Sequence, residues 1–330
     1  MADSTKHDTE ATDKRKEKAD TLATINSRTG RNMPQAVLTG AILVVLVVAC
    51  LVFERTIFVA LCIAFMLLAV WELRVDFATA GIRIPTIPLW ICSAGTLLLT
   101  YFYPQHVIGL GLGLLCSVVI IAVCASFQFK PHARVDGAVV AKLKDAGIDT
   151  PQDVLGGQVV HDRMTHVSVS MFSMLYLTLL PSFLVLPLTM GHPVAHGFYA
   201  VFVPALGDIG GLFIGAAFGK HKLSPRISPK KSWEGMFGSM LFCTIGALCI
   251  GLATYPFDEF AQKWWMLVIM GIMVGVTGLF GDLCASMIKR DLGLKDMGHL
   301  LKGHGGVLDR VDSIIISAPF ITGLLAICHL

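Results

Sequence analysis

Charge is scarce in this chain. Of its 330 residues only 15% are Asp, Glu, Lys or Arg, against 55% hydrophobic, which leaves far too much apolar surface for a single soluble core. The nine cysteines, Cys50, Cys62, Cys92, Cys116, Cys124, Cys243, Cys249, Cys284 and Cys328, include no CxxC pair. Neither a zinc site nor a disulfide framework is suggested, and small buried packing residues are expected instead. Only Cys284 sits in a charged stretch. No GxxxxGK run followed by Ser or Thr occurs, which excludes a P-loop enzyme, and no serine-triad pattern is present. The formal net charge of +3 is too small to recruit an anionic partner by itself, so placement of the bases matters more than their sum, and no nucleic-acid partner is expected.

What the chain has in abundance is long apolar runs. They fall at about 36–53, 56–71, 86–103, 107–127, 167–188, 196–218, 236–255, 264–286 and 313–330, most of them within the roughly 17 to 25 residues that cross a bilayer as a helix. The expected fold is therefore all-α: a polytopic integral membrane protein of about nine transmembrane helices. Residues 1–34 are polar and read as a disordered cytoplasmic tail, not a signal peptide, because no small-residue cleavage pattern follows a short apolar core. With the N-terminus inside, seven Lys and Arg lie in the tail, two at Arg74 and Arg83, and five each in 130–163, 220–231 and 289–310. That puts 24 of the 26 bases on the cytoplasmic side and leaves out only Arg55 and Lys263, the bias expected of a cytoplasmic N-terminus. The domain reading is a tail (1–34), N-terminal transmembrane helices (35–129), a cytoplasmic insert (130–166) and a C-terminal transmembrane catalytic domain (167–330). The insert carries a candidate short helix near Val139 to Ala146 and a helix start at Asp149-Thr150-Pro151, but no evident chemistry.

Against this apolar background, 281–313 holds five acids, five bases, two histidines and six glycines in 33 residues. If the eighth helix continues through it, Asp282, Ser286 and Lys289 share one face at i, i+4 and i+7. Gly303-His304-Gly305-Gly306 is a hinge that lets backbone amides approach a ligand, and Asp309 and Asp312 sit i, i+3 at the next helix start. Asp208 lies in the sixth run, about ten residues from its cytoplasmic end and so roughly 15 Å deep at helical rise. An ionisable residue at such depth is either functional or bonded to its neighbours. Gly207, Gly211, Gly215 and Gly219 form a bare stripe for close helix packing. Ser228-Pro229-Lys230-Lys231-Ser232 sets two ammonium groups beside two hydroxyls, a composition suited to polyphosphate oxygens, and Glu234 is placed to answer a lysine or to ligate a metal. Carboxylates and bases together at one membrane edge suit phosphoryl or nucleotidyl transfer with a divalent metal.

These residues also carry a likeness. Ser286, Lys289-Arg290, Lys295-Asp296, His304-Gly305-Gly306, Asp309-Arg310 and Asp312, preceded by Gly207-Asp208 and the loop from Ser228 to Gly235, resemble the motifs of the phosphatidate cytidylyltransferases, or CDP-diacylglycerol synthases. The likeness covers roughly 206–313. One departure is that Ile209 and Gly211 stand where the family has a hydroxyl residue and an alanine. The resemblance implies transfer of the cytidylyl group of CTP to phosphatidic acid, giving CDP-diacylglycerol and pyrophosphate for phospholipid synthesis. It implies magnesium in a two-metal centre, the second ion being magnesium or a monovalent cation, with Asp282, Asp309, Asp312 and Asp208 as ligands. Catalytic roles fall to Asp282, Asp309, Ser286, Lys289 and His304, and substrate phosphates to Lys230, Lys231, Ser228, Ser232, Arg290, Lys295 and Arg310. The implied setting is the plasma membrane of a bacterium with the site on the cytoplasmic side, and a homodimer is expected. A CDP-alcohol phosphotransferase is disfavoured because a DGxxAR run is absent. The alternatives are another CTP-dependent lipid enzyme, such as a polyprenol kinase or an ether-lipid CDP synthase, and an anionic-lipid transporter, which the one-sided bases disfavour.

Overall fold

The computed structural model describes residues 33–127, 163–294, 297 and 306–329. The expectations for the tail, for most of the insert, and for Lys295 and His304 fall outside these residues. In chain order the helices are α1 (Met33–Phe53), α2 (Arg55–Thr79), α3 (Thr86–Phe102), α4 (His106–Phe127), α5 (Arg163–Thr189), α6 (Pro193–Phe218), α7 (Trp233–Thr254), α8 (Phe257–Asp291) and α9 (Leu308–Cys328). Seven of them, all but α1 and α3, are long and apolar enough to cross a membrane. Phe53, Ile57, Val107, Leu212 and Phe213 are more than half exposed on their outer faces, as lipid-facing side chains of an integral membrane protein must be, because lipid tails solvate them as well as a core does.

The helices run past the apolar blocks wherever charge meets a partner. The run expected to stop at Trp71 continues to Thr79 and carries Glu72 and Asp76 into the core, 3% and 0% exposed. Helix α8 does continue through the charged stretch to Asp291. Its 35 residues make about 52 Å at 1.5 Å per residue, well beyond a hydrocarbon core of about 30 Å. Its last turns therefore stand clear of the lipid. Helix α5 begins at Arg163, inside the expected insert, where the Arg163 guanidinium donates to Ser126 O at the end of α4 (2.8 Å) and His166 Nδ1 accepts from Arg83 N–H (3.0 Å). Midway, Leu175–Leu179 widens into a π-helical turn in which Leu180 N–H bonds to Leu175 O. Pro181 follows at once, and its missing N–H interrupts the regular ladder.

Helices α6 and α7 are joined by the one sheet among the described residues, a two-stranded antiparallel hairpin of β1 (Lys222–Ser224) and β2 (Ser228–Ser232), with Lys222 opposite Ser232 and Ser224 opposite Ser228. This small addition to an otherwise helical fold is the segment expected to be a loop. Ser232 ends it by capping α7, its Oγ accepting from Gly235 N–H at 3.1 Å, a common N-cap arrangement.

Helices α6 and α7 pack closely where the glycine stripe lies. A Cβ at Gly210 would stand 2.6 Å from Gly238 O, and one at Gly238 would stand 2.6 Å from Gly210 O. Each backbone thus occupies the space a side chain on the other would need. Ser239 Oγ and Cys243 Sγ use the same proximity to donate to Gly207 O (2.8 Å) and Val203 O (3.2 Å), the polar glue of small-residue helix pairs. Leu73, Leu89, Leu177 and Leu308 belong to one core cluster, drawn from both ends of the sequence, and Tyr199, Cys243, Leu267 and Ile321 to a second within α6 to α9. Gly238→Val is expected to destabilise the protein by at least the 1–3 kcal/mol or so of ordinary overpacking, because backbone cannot give way as a side chain does. Thermal unfolding in detergent checks this.

Candidate active site

The carboxylates found in the sequence converge because two helix pairs approach closely. A Cβ at Gly281 of α8 would lie 2.7 Å from Asp312 O and 3.0 Å from Ser313 Cα of α9. Glycine there lets α8 and α9 touch backbone to backbone and sets Asp282, the next residue, beside Asp312. Helix α6 closes the third side. Ser313 Oγ donates to Asp208 Oδ2 at 2.8 Å, while Ser313 N–H donates to Asp312 Oδ1 at 2.7 Å. One serine thus holds two acids from different helices. Asp208, Asp282 and Asp312 lie where α6, α8 and α9 meet, with Asp309 three residues before Asp312 on α9.

Two lysines balance part of this charge. Lys231, on β2, crosses to α8, where its Nζ pairs with Asp282 Oδ2 (2.8 Å) and donates to Leu279 O (3.1 Å). Lys289, near the end of α8, pairs with Asp309 Oδ1 on α9 at 2.8 Å, and Asp309 Oδ2 accepts from Met297 N–H at 3.2 Å. Ser286 shares the α8 face with Asp282 and reaches its Oδ1 at 3.4 Å. Arg310, in the first turn of α9, acts with Lys231 on Asp208. In the Lys289 pair both side chains are largely covered, at 13% and 11% exposure, whereas Asp282 keeps 41% of its side chain open. Asp282 is open to an arriving ligand where Asp309 is covered.

The structure thus brings together Asp208, Asp282, Asp309, Asp312, Ser286, Lys231, Lys289 and Arg310. Lys230 and Arg290 are exposed, Lys230 because neighbouring strand residues alternate in direction. Ser228 sits at the hairpin turn, and Ser232 is buried as the helix cap. Glu234 answers neither lysine. It pairs with His221 Nδ1 at 2.7 Å and accepts His221 N–H, which closes the base of the hairpin. Among the described residues no three His, Cys, Asp or Glu side chains stand close enough to enclose a metal ion together. The donor chemistry is nevertheless that of a hard cation: four carboxylates, no sulfur, and more acids than the two lysines neutralise.

Glu72 was not among the residues the sequence singled out. From α2 its two carboxylate oxygens accept the N–H groups of Val307 (2.9 Å) and Leu308 (3.0 Å), donors that the start of α9 leaves without partners in its own helix. A carboxylate there also meets the positive end of the helix dipole. Its position fixes where Asp309 and Asp312 stand. The available signal was the pair Glu72 and Asp76, i, i+4 at the end of an apolar helix.

Residues 34–328 match the cytidylyltransferase family. A phosphatidate cytidylyltransferase of Mycobacterium leprae is 34% identical over 291 residues, 88% of this chain and 86% of that protein. One of Mycobacterium tuberculosis is 33% identical over 296 residues, 90% of this chain and 83% of its own length. One of Pseudomonas aeruginosa is 43% identical over 152 residues, 45% of this chain and 55% of that protein.

Glu72→Ala is expected to lower stability by about 2–4 kcal/mol, since it strands two buried N–H donors that had a charged partner, and to reduce activity through the displaced start of α9. Thermal unfolding and turnover measured on the same preparation check both effects.

Proposed function

The chain belongs to the cytidylyltransferase family, and from that premise we propose that it transfers the cytidylyl group of CTP to phosphatidate, giving CDP-diacylglycerol and pyrophosphate for phospholipid synthesis. The observation that carries this reading is the pair of lysine–carboxylate contacts, Lys231 with Asp282 and Lys289 with Asp309, set among two further acids where three helices meet. The curated relatives named for this reaction align with most of the chain.

In the reaction a phosphate oxygen of phosphatidate attacks the α-phosphorus of CTP in line, and the bond from that phosphorus to the bridging oxygen breaks as pyrophosphate leaves. No covalent enzyme intermediate is needed. Lys231 and Lys289 exchange their carboxylate partners for phosphate oxygens, which releases acids and neutralises substrate in one movement. Ser286 donates to a phosphate oxygen. Lys230, Arg290, Lys295 and Arg310, with Ser228 and Ser232, supply further donors toward the phosphates, and His304 donates to the leaving pyrophosphate. Asp282, Asp309, Asp312 and Asp208 would hold magnesium, with a second ion that is magnesium or monovalent, to offset charge developing on the phosphates.

The finer topology belongs to the same proposal. Adding α1 and α3 to the seven long helices makes nine spans, and the placement of 24 of 26 bases supports a cytoplasmic N-terminus and a cytoplasmic site in a bacterial plasma membrane. The division into tail, N-terminal helices, insert and C-terminal catalytic half follows, and homodimerisation is part of the reading.

The test is purified protein with phosphatidate, magnesium and CTP labelled at the α-phosphate. Label should enter the lipid fraction. Label that stays in the aqueous phase sinks the proposal, and γ-phosphate entering lipid would point to a kinase. Asp309→Asn should cut turnover on the order of 10³-fold, as expected when a group acting on developing charge is lost, while the variant still inserts in the membrane. Retained turnover would remove Asp309 from the reaction.

A further inference from the structure

Lys231 reaches Asp282 from an element that does little to aim it. The hairpin pairs Lys222 with Ser232 and Ser224 with Ser228, so the single residue Leu223 on β1 faces Pro229, Lys230 and Lys231 on β2. The ladder is irregular there, and Pro229 has no N–H to donate to it. Surplus residues of this kind bend a strand and re-aim its side chains. A two-stranded ribbon is also marginal by itself, and at the turn Pro225 and Arg226 are exposed. The direction of Lys231 is therefore set at the open end, where β2 runs into α7.

That end is clasped. Trp233 N–H donates to His221 O at 3.0 Å, which carries the pairing one step past Ser232. Glu234, in the first turn of α7, then reaches back over His221 with both carboxylate oxygens. His221 N–H donates to Oε1 at 3.2 Å and to Oε2 at 3.3 Å, and His221 Nδ1 lies 2.7 Å from Oε1. One carboxylate thus holds both the backbone and the ring of the residue that precedes β1, across the whole length of the hairpin. Stability alone does not account for the arrangement, because the His221 side chain is 80% exposed and exposed pairs add little to folding. What the clasp fixes is the path of β2 into α7. Lys231, three residues before Glu234, has to span from that path to α8, where its Nζ sits 2.8 Å from Asp282 Oδ2 and 3.1 Å from Leu279 O.

We propose that Glu234 is a positioning residue for cytidylyl transfer: by clasping His221 it holds the hairpin where Lys231 is delivered to Asp282 and, in turn, to a substrate phosphate. It works as a hydrogen-bond acceptor and acts only through Lys231. The inference rests on the group around Asp282 being the site of that reaction.

Glu234→Ala in the full chain should lower kcat/KM with α-labelled CTP and phosphatidate about 10- to 100-fold, the scale of a displacement of about 1 Å at a reacting group. Its thermal midpoint should fall no further than that of Lys231→Ala. Glu234→Gln keeps an oxygen for His221 N–H and should recover most of the loss, which replacement of a metal ligand would not do. The decisive measurement combines Glu234→Ala with Lys231→Ala. Because the effect passes through Lys231, Glu234→Ala should cost less than twofold in that background, and alone it should alter the same parameter, kcat or the KM for CTP, that Lys231→Ala alters. Glu234→Ala within twofold of wild type overturns the proposal. So do a Glu234→Gln loss equal to that of alanine, full additivity with Lys231→Ala, and a thermal midpoint below that of Lys231→Ala, which would mark the clasp as structural. If wild-type protein places no label in lipid, the reading of the site fails first. The clasp is then judged by thermal midpoints without substrate, as it is if Lys231→Ala is too slow to follow. Lys231→Ala should lower the midpoint of wild type but not that of Glu234→Ala, and an equal fall in both overturns the clasp.

Discussion

An ionised side chain can stay among membrane helices only if a charge of opposite sign or a good donor meets it. That constraint organises this molecule. Asp282 and Asp309 each hold a lysine, Asp208 takes the hydroxyl of Ser313, and Glu72 is buried against two backbone N–H groups. Each of these bonds joins one element to another. Satisfying the acids and assembling the site are one event.

Close helix approach makes those bonds reachable. The reciprocal contact of Gly210 and Gly238 seats α7 on α6 and so fixes the hairpin that delivers Lys231. Gly281 brings α8 onto α9 and so faces Asp282 with Asp312. Bulk at either point would part the helices by more than a salt bridge tolerates. The glycines do no chemistry, yet the polar distances follow from them.

Much of this was legible in the sequence, for identifiable reasons. The apolar runs mark the long helices because bilayer thickness sets their length. Asp208, Asp282, Asp309, Asp312, Lys231 and Lys289 stood out because charge is rare around them, and the glycine stripe announced a close neighbour. Pairing was less legible. Glu234 faced two adjacent lysines in the sequence yet turns to His221, since strand geometry carries Lys231 the other way, to α8. The second span seemed to end at Trp71 because Glu72 and Asp76 look like the start of a loop. Only the distant N–H groups that Glu72 meets make helix the better state there. The hairpin escaped notice because five residues with a proline and two lysines have no strong strand pattern.

Glu72 and the residues it caps are 235 positions apart. At about 5–20 residues per second of synthesis, roughly 12 to 47 s separate the two ends of that contact as the chain leaves the ribosome. Through that interval the second helix carries a carboxylate whose final partners do not yet exist. The last helix, when it arrives, brings both those partners and the acids Asp309 and Asp312. The site is therefore completed only once α9 is made, and a chain cut short before that helix would keep Lys231 opposite Asp282 but leave Lys289 with nothing opposite it.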